Sequence, residues 1–239
     1  MKFVAALLFL VAFSGAAFSQ SSPLTPEQRL FEAIEAGKEI AAEGVLLRGK
    51  VNLDARNANG ETVLHLSVEK GMKELTQVLL NAGASPRSRS KNGETALHLA
   101  ALHADPGLTN LLLAARADPN TRNDDGESAL HWAALSGNAL VVTALIERGA
   151  NPDLADTRGN QPLHAAADSS SVDSVKRLLA RTTEPEARNR AGQSALEVAK
   201  ERGNAEIVRV LAAGGPRGAP PGGSTFRTID IENQPKERF

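Results

Sequence analysis

Glycines at positions 60, 93, 126, 159 and 192 stand 33 residues apart without a single insertion, and each of the first four is followed five residues later by a histidine, at 65, 98, 131 and 164. A fixed period of this length means stacked supersecondary units, each able to hide its apolar face only against its neighbours. The length of 239 residues is therefore no guide to domain number, because burial happens between adjacent units and not around one centre.

Within one period, the unit is a helical pair plus a projecting loop. Asp124-Asp125-Gly126 reads as a tight turn and Ser128 as a cap for the helix beside it. Leu130, Ala133 and Ala134 then fall on one helical face, Ser136-Gly137-Asn138 breaks the helix, and Val141, Val142, Leu145 and Ile146 form the inner side of a second one. Gly149-Ala150-Asn151-Pro152 ends it. The same offsets find Leu64, Leu97, Leu163 and Leu196 in the other first helices.

The turns read Gly60-Glu-Thr-Val-Leu-His65, Gly93-Glu-Thr-Ala-Leu-His98, Gly126-Glu-Ser-Ala-Leu-His131, Gly159-Asn-Gln-Pro-Leu-His164 and Gly192-Gln-Ser-Ala-Leu-Glu197. Period and motif resemble the ankyrin repeat family. The resemblance implies an all-α repeat solenoid: an ankyrin stack of five full repeats plus a degenerate N-terminal cap around Arg29–Gly37, made of helix-turn-helix units with projecting loops. Thr25-Pro26 is the expected start of the cap helix. The expected organisation is a signal peptide over 1–19, the repeat domain over 20–215 and a Gly/Pro linker with a flexible tail over 216–239.

Three departures from the family pattern stand out. Arg116 takes a position where glycine ends the second helix, and a Cβ there costs on the order of 1 kcal/mol in a left-handed backbone. Ala104-Asp105-Pro106 replaces an inter-helix glycine, with Asp105 expected as cap and Pro106 as first helical residue. Asp168–Ser171 and Arg181–Pro185 replace both glycines of the fourth repeat, where local irregularity is expected.

At the N-terminus, Lys2, the apolar run Phe3–Phe13 and the small residues Ala17 and Ser19 predict a secretory signal peptide cleaved after Ser19. The run is too short for a bilayer of ~30 Å. With no cysteine there is neither a disulfide nor a lipid attachment site. A periplasmic protein is expected, or a secreted one if the source is eukaryotic. The formal charge of −1 becomes one unit more negative when Lys2 leaves, which supplies no field for nucleic acid or an anionic membrane. Past the linker, Thr225–Glu232 alternates apolar and polar residues, and either docks as an extended peptide or stays disordered.

The histidines cannot share a metal ion, since successive repeats set them ~10 Å apart against ligand bonds of ~2 Å. The resemblance implies instead that they and Thr62, Thr95, Ser128 and Ser194 hydrogen-bond to turn backbone. His103 falls outside the motif, at the end of a first helix, as a candidate contact residue. No nucleophile elbow, zinc spacing or phosphate loop is present, so neither catalysis nor a cofactor is expected.

The candidate binding residues lie on loop tips and first helices. Four places before each turn glycine stand Arg56, Arg89, Arg122, Ala155 and Arg188, a basic row. It is either an ordinary feature of the repeat or a contact surface for an acidic partner. Beside it lie Asn59, Glu61, Asn92, Glu94, Asp125, Glu127, Arg158, Asn160 and Arg190, with Leu102, Leu135 and Trp132 as apolar anchors; for Trp132, packing between repeats is the other reading. The resemblance implies a non-catalytic module, a monomer when unbound, that binds another exported protein. The specific expectation is an inhibitor or immunity protein for a peptidoglycan hydrolase. The alternatives are an accessory to a haem or peroxide-defence activity and a general envelope scaffold.

Overall fold

A computed structural model describes residues 23–214. The expected signal peptide lies outside those residues, as do the linker and tail of 216–239. Twelve helices, and no strand among the described residues, pair in chain order into six hairpins. The first helices of the hairpins are α1 (Pro26–Glu35), α3 (Val63–Glu69), α5 (Ala96–Ala100), α7 (Ala129–Leu135), α9 (Pro162–Asp168) and α11 (Ala195–Glu201). The second helices are α2 (Glu39–Leu47), α4 (Lys73–Asn81), α6 (Gly107–Ala114), α8 (Ala139–Glu147), α10 (Val172–Leu179) and α12 (Ala205–Ala212). First helices pack on first helices and second on second, so the hairpins stand side by side as a solenoid.

The core is an aliphatic ladder. Leu64, Leu97, Leu130 and Leu163 occupy one position in four successive repeats, and Leu79, Leu112, Leu145 and Leu178 do so in the second helices; all are fully buried. Each contributes roughly 1.5–3 kcal/mol relative to exposure. Leu196, at the same position where no described repeat follows, is only partly covered. Buried alanines at 100, 133, 134, 166 and 167 let the first helices approach closely.

Each turn aims its helix through two features. Gly126 has φ +78°, and a Cβ there would sit 2.9 Å from the Thr157 amide of the next loop, so both backbone conformation and space demand glycine. The loop tips are then tied by one backbone bond per repeat: Lys91 donates to Asn59, Asp124 to Asn92, Thr157 to Asp125 and Arg190 to Arg158, at 2.8–2.9 Å. Thr25 caps α1 in a capping box with Gln28, as its sequence predicts.

The departures resolve individually. Arg116 keeps the left-handed cap at φ +66°, beside Gly83 at +95° and Gly149 at +89° in the equivalent positions. The loop keeps its shape and carries the strain. Ser170 likewise sits at φ +65° where Gly137 and Gly203 stand in neighbouring repeats. Asp105 accepts from the Gly107 amide at 3.1 Å, but Pro106 is the cap and Gly107 the first helical residue, one position later than the sequence suggests. In the fourth repeat the missing glycine after α10 is replaced by side-chain bonds: Asp153 accepts from the Thr183 amide at 3.1 Å and from its hydroxyl at 2.6 Å, and from the Thr182 hydroxyl.

Candidate binding face

The four motif histidines are buried and fully committed to the stack. His98 Nδ1 accepts from the Thr95 amide at 3.1 Å, with the Thr95 hydroxyl at 2.9 Å. Its Nε2 then carries the proton and donates to the Glu127 carbonyl of the next repeat at 3.1 Å. His65, His131 and His164 repeat the pattern toward Glu94, Asn160 and Gln193. Burial holds all four below the ordinary imidazole range, His98 down to about 4. With both ring nitrogens engaged, none offers a free lone pair to a metal or haem. Where Glu197 replaces the histidine, its carboxylate accepts from the Ser194 amide at 2.7 Å and from Arg188 at 2.8 Å.

The basic row is a brace. Arg89 donates to the Gly93 carbonyl in its own turn at 3.1 Å and to the Arg122 carbonyl one repeat on at 3.0 Å. Arg122 does the same toward Gly126 at 2.9 Å and Ala155 at 2.6 Å. Arg56 bridges Gly60 and Arg89. Arg188 donates to Gly192 and pairs with Glu197. The guanidinium groups of Arg56, Arg89 and Arg122 thus each link carbonyls of two successive repeats, whereas Arg188 binds only within its own repeat, and half or more of the Arg89 and Arg188 side chains remains in contact with solvent.

His103 is placed differently from the sequence expectation. Helix α5 ends at Ala100, and His103 lies beyond it in the inter-helix turn, half-buried, with Nε2 2.7 Å from the Val68 carbonyl. Its own carbonyl accepts from Asn138 at 3.2 Å. It is therefore a tie between three repeats and not a free contact residue.

Repeats three to five form a groove of about 910 Å³. It gathers six of the expected residues, Glu127, Trp132, Leu135, Arg158, Asn160 and Arg190. Arg56, Asn59, Glu61, Arg89, Asn92, Glu94, Leu102, Arg122, Asp125 and Arg188 lie outside it. Trp132 combines both readings of its role: it forms a T-shaped pair with the His98 ring, centroids 5.5 Å apart, its indole donates to Glu127 at 2.8 Å, and it lines the groove. Leu135 is 52% exposed.

A small residue sits in the floor of the groove. One and four places past the motif histidine, Trp132 and Leu135 are matched by Ala165 and Asp168 in repeat four and by Val198 and Glu201 in repeat five, and all six line the groove. Ala165, between a tryptophan and a valine, leaves the floor open. In repeats one and two, Leu66 and Leu99 hold that position. Asp168, Val198, Glu201 and Arg202 were not among the expected binding residues, yet the offset that marks Trp132 and Leu135 reaches the first three directly.

Charges in the groove are mostly paired. Arg158 bridges Glu127 at 2.9 Å and Asp156 at 3.2 Å, and Arg202 pairs with Asp168. Hydrogen bonds from the Asn160 and Arg158 amides and charge from Arg158 hold Asp156 below the usual carboxylate range against its burial. Glu201 accepts only from Gln193, at 2.6 Å, and exposed Arg190 has no ion pair among the described residues. The groove therefore shows an apolar floor with one uncommitted cation and one acid lacking a cationic partner. Among the described residues no cluster of three or more histidine, aspartate or glutamate side chains could hold a metal, and no helix is long and apolar enough to cross a membrane.

No curated protein matches the chain. The family model for ankyrin repeats, in three copies, matches residues 30–123 and again 103–189. With the 33-residue period, the paired helices and the histidine ties between turns, these matches make the chain a member of the ankyrin repeat family.

Proposed function

We propose that this is a non-catalytic protein-binding module that works in the periplasm and engages another exported protein through the groove of repeats three to five. Ankyrin repeats generally mediate protein–protein interaction. The observation that carries the assignment of the face is the juxtaposition of Trp132, Leu135 and Val198 with Arg190 and Glu201. Tryptophan and arginine are the residues enriched where binding energy concentrates in protein interfaces, and here Trp132 and the unpaired Arg190 border one groove. The signal-like sequence of residues 1–19 supports export. The target class is a peptidoglycan hydrolase, which a rigid stack would inhibit by covering the active-site cleft; a standard interface needs only ~800 Å² per partner.

The experiment is capture from an envelope extract with the chain beginning at Gln20, followed by binding and hydrolysis assays with the purified captured protein. Leu135→Asp and Arg190→Glu are the paired controls. The proposal expects a cell-wall hydrolase whose activity falls on binding and whose capture fails with both variants. Recovery of the same proteins by parent and variants alike would remove the groove from the reading, and a captured enzyme that keeps full activity would remove inhibition.

A further inference from the structure

We propose that Thr225–Glu232 of this same chain docks as an extended peptide in the groove of repeats three to five, so that a partner must displace it. The proposal rests on the reading of that groove as a protein-binding site and names its regulation.

The chemistry of the segment matches the groove. Thr225-Phe-Arg-Thr-Ile-Asp-Ile-Glu232 sets Ile229 and Ile231 on one side of an extended chain and Asp230 and Glu232 on the other. The groove offers Trp132, Leu135 and Val198 as an apolar floor. Its two charges without an ion pair are of opposite sign, Arg190 and Glu201, and the segment carries Arg227 ahead of the acidic pair. Arg190 precedes α11 and Glu201 closes it, so a backbone separation of about the length of that helix, ~10 Å, lies between the two. From Arg227 to Asp230 and Glu232 an extended chain spans about 10–17 Å. One peptide can satisfy both charges at once.

The connection is long enough. Described structure ends at Gly214, after α12 in the repeat that forms one wall of the groove. Ten residues rich in glycine and proline separate Gly214 from Thr225 and reach up to about 35 Å. A segment tethered this closely acts at millimolar effective concentration, which suffices for a contact too weak to persist between separate molecules.

Two measurements on the chain beginning at Gln20 test this with no partner present. Trp132 is the only tryptophan in the chain, so its fluorescence reports groove occupancy. Replacing Ile229→Asp and Ile231→Asp together is expected to red-shift the emission and increase quenching by acrylamide. Identical emission and quenching would overturn the proposal. Because the chain has no cysteine, a Leu135→Cys, Ile231→Cys pair gives a clean second readout. Mild oxidation should form an intramolecular disulfide at high dilution, in far greater yield than Leu140→Cys, Ile231→Cys. Equal yields, no disulfide, or a disulfide only between molecules would overturn it. Any of these failures leaves partner capture intact as the test of the groove itself.

Discussion

Arg122 donates from Nη2 to the carbonyl oxygen of Ala155, 2.6 Å away, and Ala155 has no side chain with which to continue the brace to Arg188. The row that looks on paper like a basic contact surface is thus a chain of repeat-to-repeat ties with a break at its fourth position. Its arginines matter first for stability. Arg122→Ala removes two charge-assisted bonds and is expected to cost about 1–3 kcal/mol, read as a lower urea midpoint. Ala155→Arg restores the missing donor opposite the Gly159 and Arg188 carbonyls and is expected to raise the midpoint by about 1 kcal/mol. A midpoint unmoved by Arg122→Ala would mean that the brace carries no energy.

His98→Ala leaves the buried Thr95 amide without a partner, takes one of two donors from the Glu127 carbonyl, which keeps the Asn123 amide at 2.8 Å, and removes the ring against which Trp132 packs. The expected loss is about 2–4 kcal/mol, of which the orphaned buried amide accounts for ~1–3 kcal/mol and the lost ring packing for the rest. Chemical denaturation followed by circular dichroism measures it.

Stability should fall on mild acidification. Burial holds the four motif histidines neutral, with folded pKa values below the ordinary imidazole value and that of His98 at about 4. The unfolded chain therefore binds these protons first. Their contribution is complete above the unfolded value near 6.5 and is lost as pH falls toward the folded values. For His98 alone the loss approaches about 3 kcal/mol near pH 4. Melting temperature measured between pH 7.5 and 4.5 should drop steadily below 6.5, and His98→Ala should flatten the slope. A flat profile across that range would contradict the histidine ladder.

Arg116→Gly relieves a left-handed backbone at φ +66°. It is expected to stabilise by up to about 1 kcal/mol, the penalty of a Cβ there less the entropy glycine loses on folding. A thermal melt of the single variant checks the sign.

The fold was legible because its determinants are local and periodic: Gly126 at a turn that admits no Cβ, Leu64, Leu97, Leu130 and Leu163 at one buried position, and Thr95 with His98 three residues away. The face was harder to read because its determinants are backbone atoms and neighbours one repeat away. Arg89 appears free until the Arg122 carbonyl is placed against it, and His103 until the Val68 carbonyl is. Leu102 and Leu135 look alike in sequence and are similarly exposed, yet only Leu135 borders the groove. Its floor holds Ala165, a residue whose contribution is the volume it does not fill.

The most direct test of the central claim is the dissociation constant of the captured protein for three variants, measured by calorimetry after each is shown to melt like the parent. Leu135→Asp and Arg190→Glu, in the groove, should each weaken binding by about tenfold or more, as loss of an interface anchor does. Leu140→Asp, at a leucine 58% exposed on α8 and outside the groove, should leave it unchanged. Parent-like affinity in both groove variants, with binding lost in Leu140→Asp, would contradict the account.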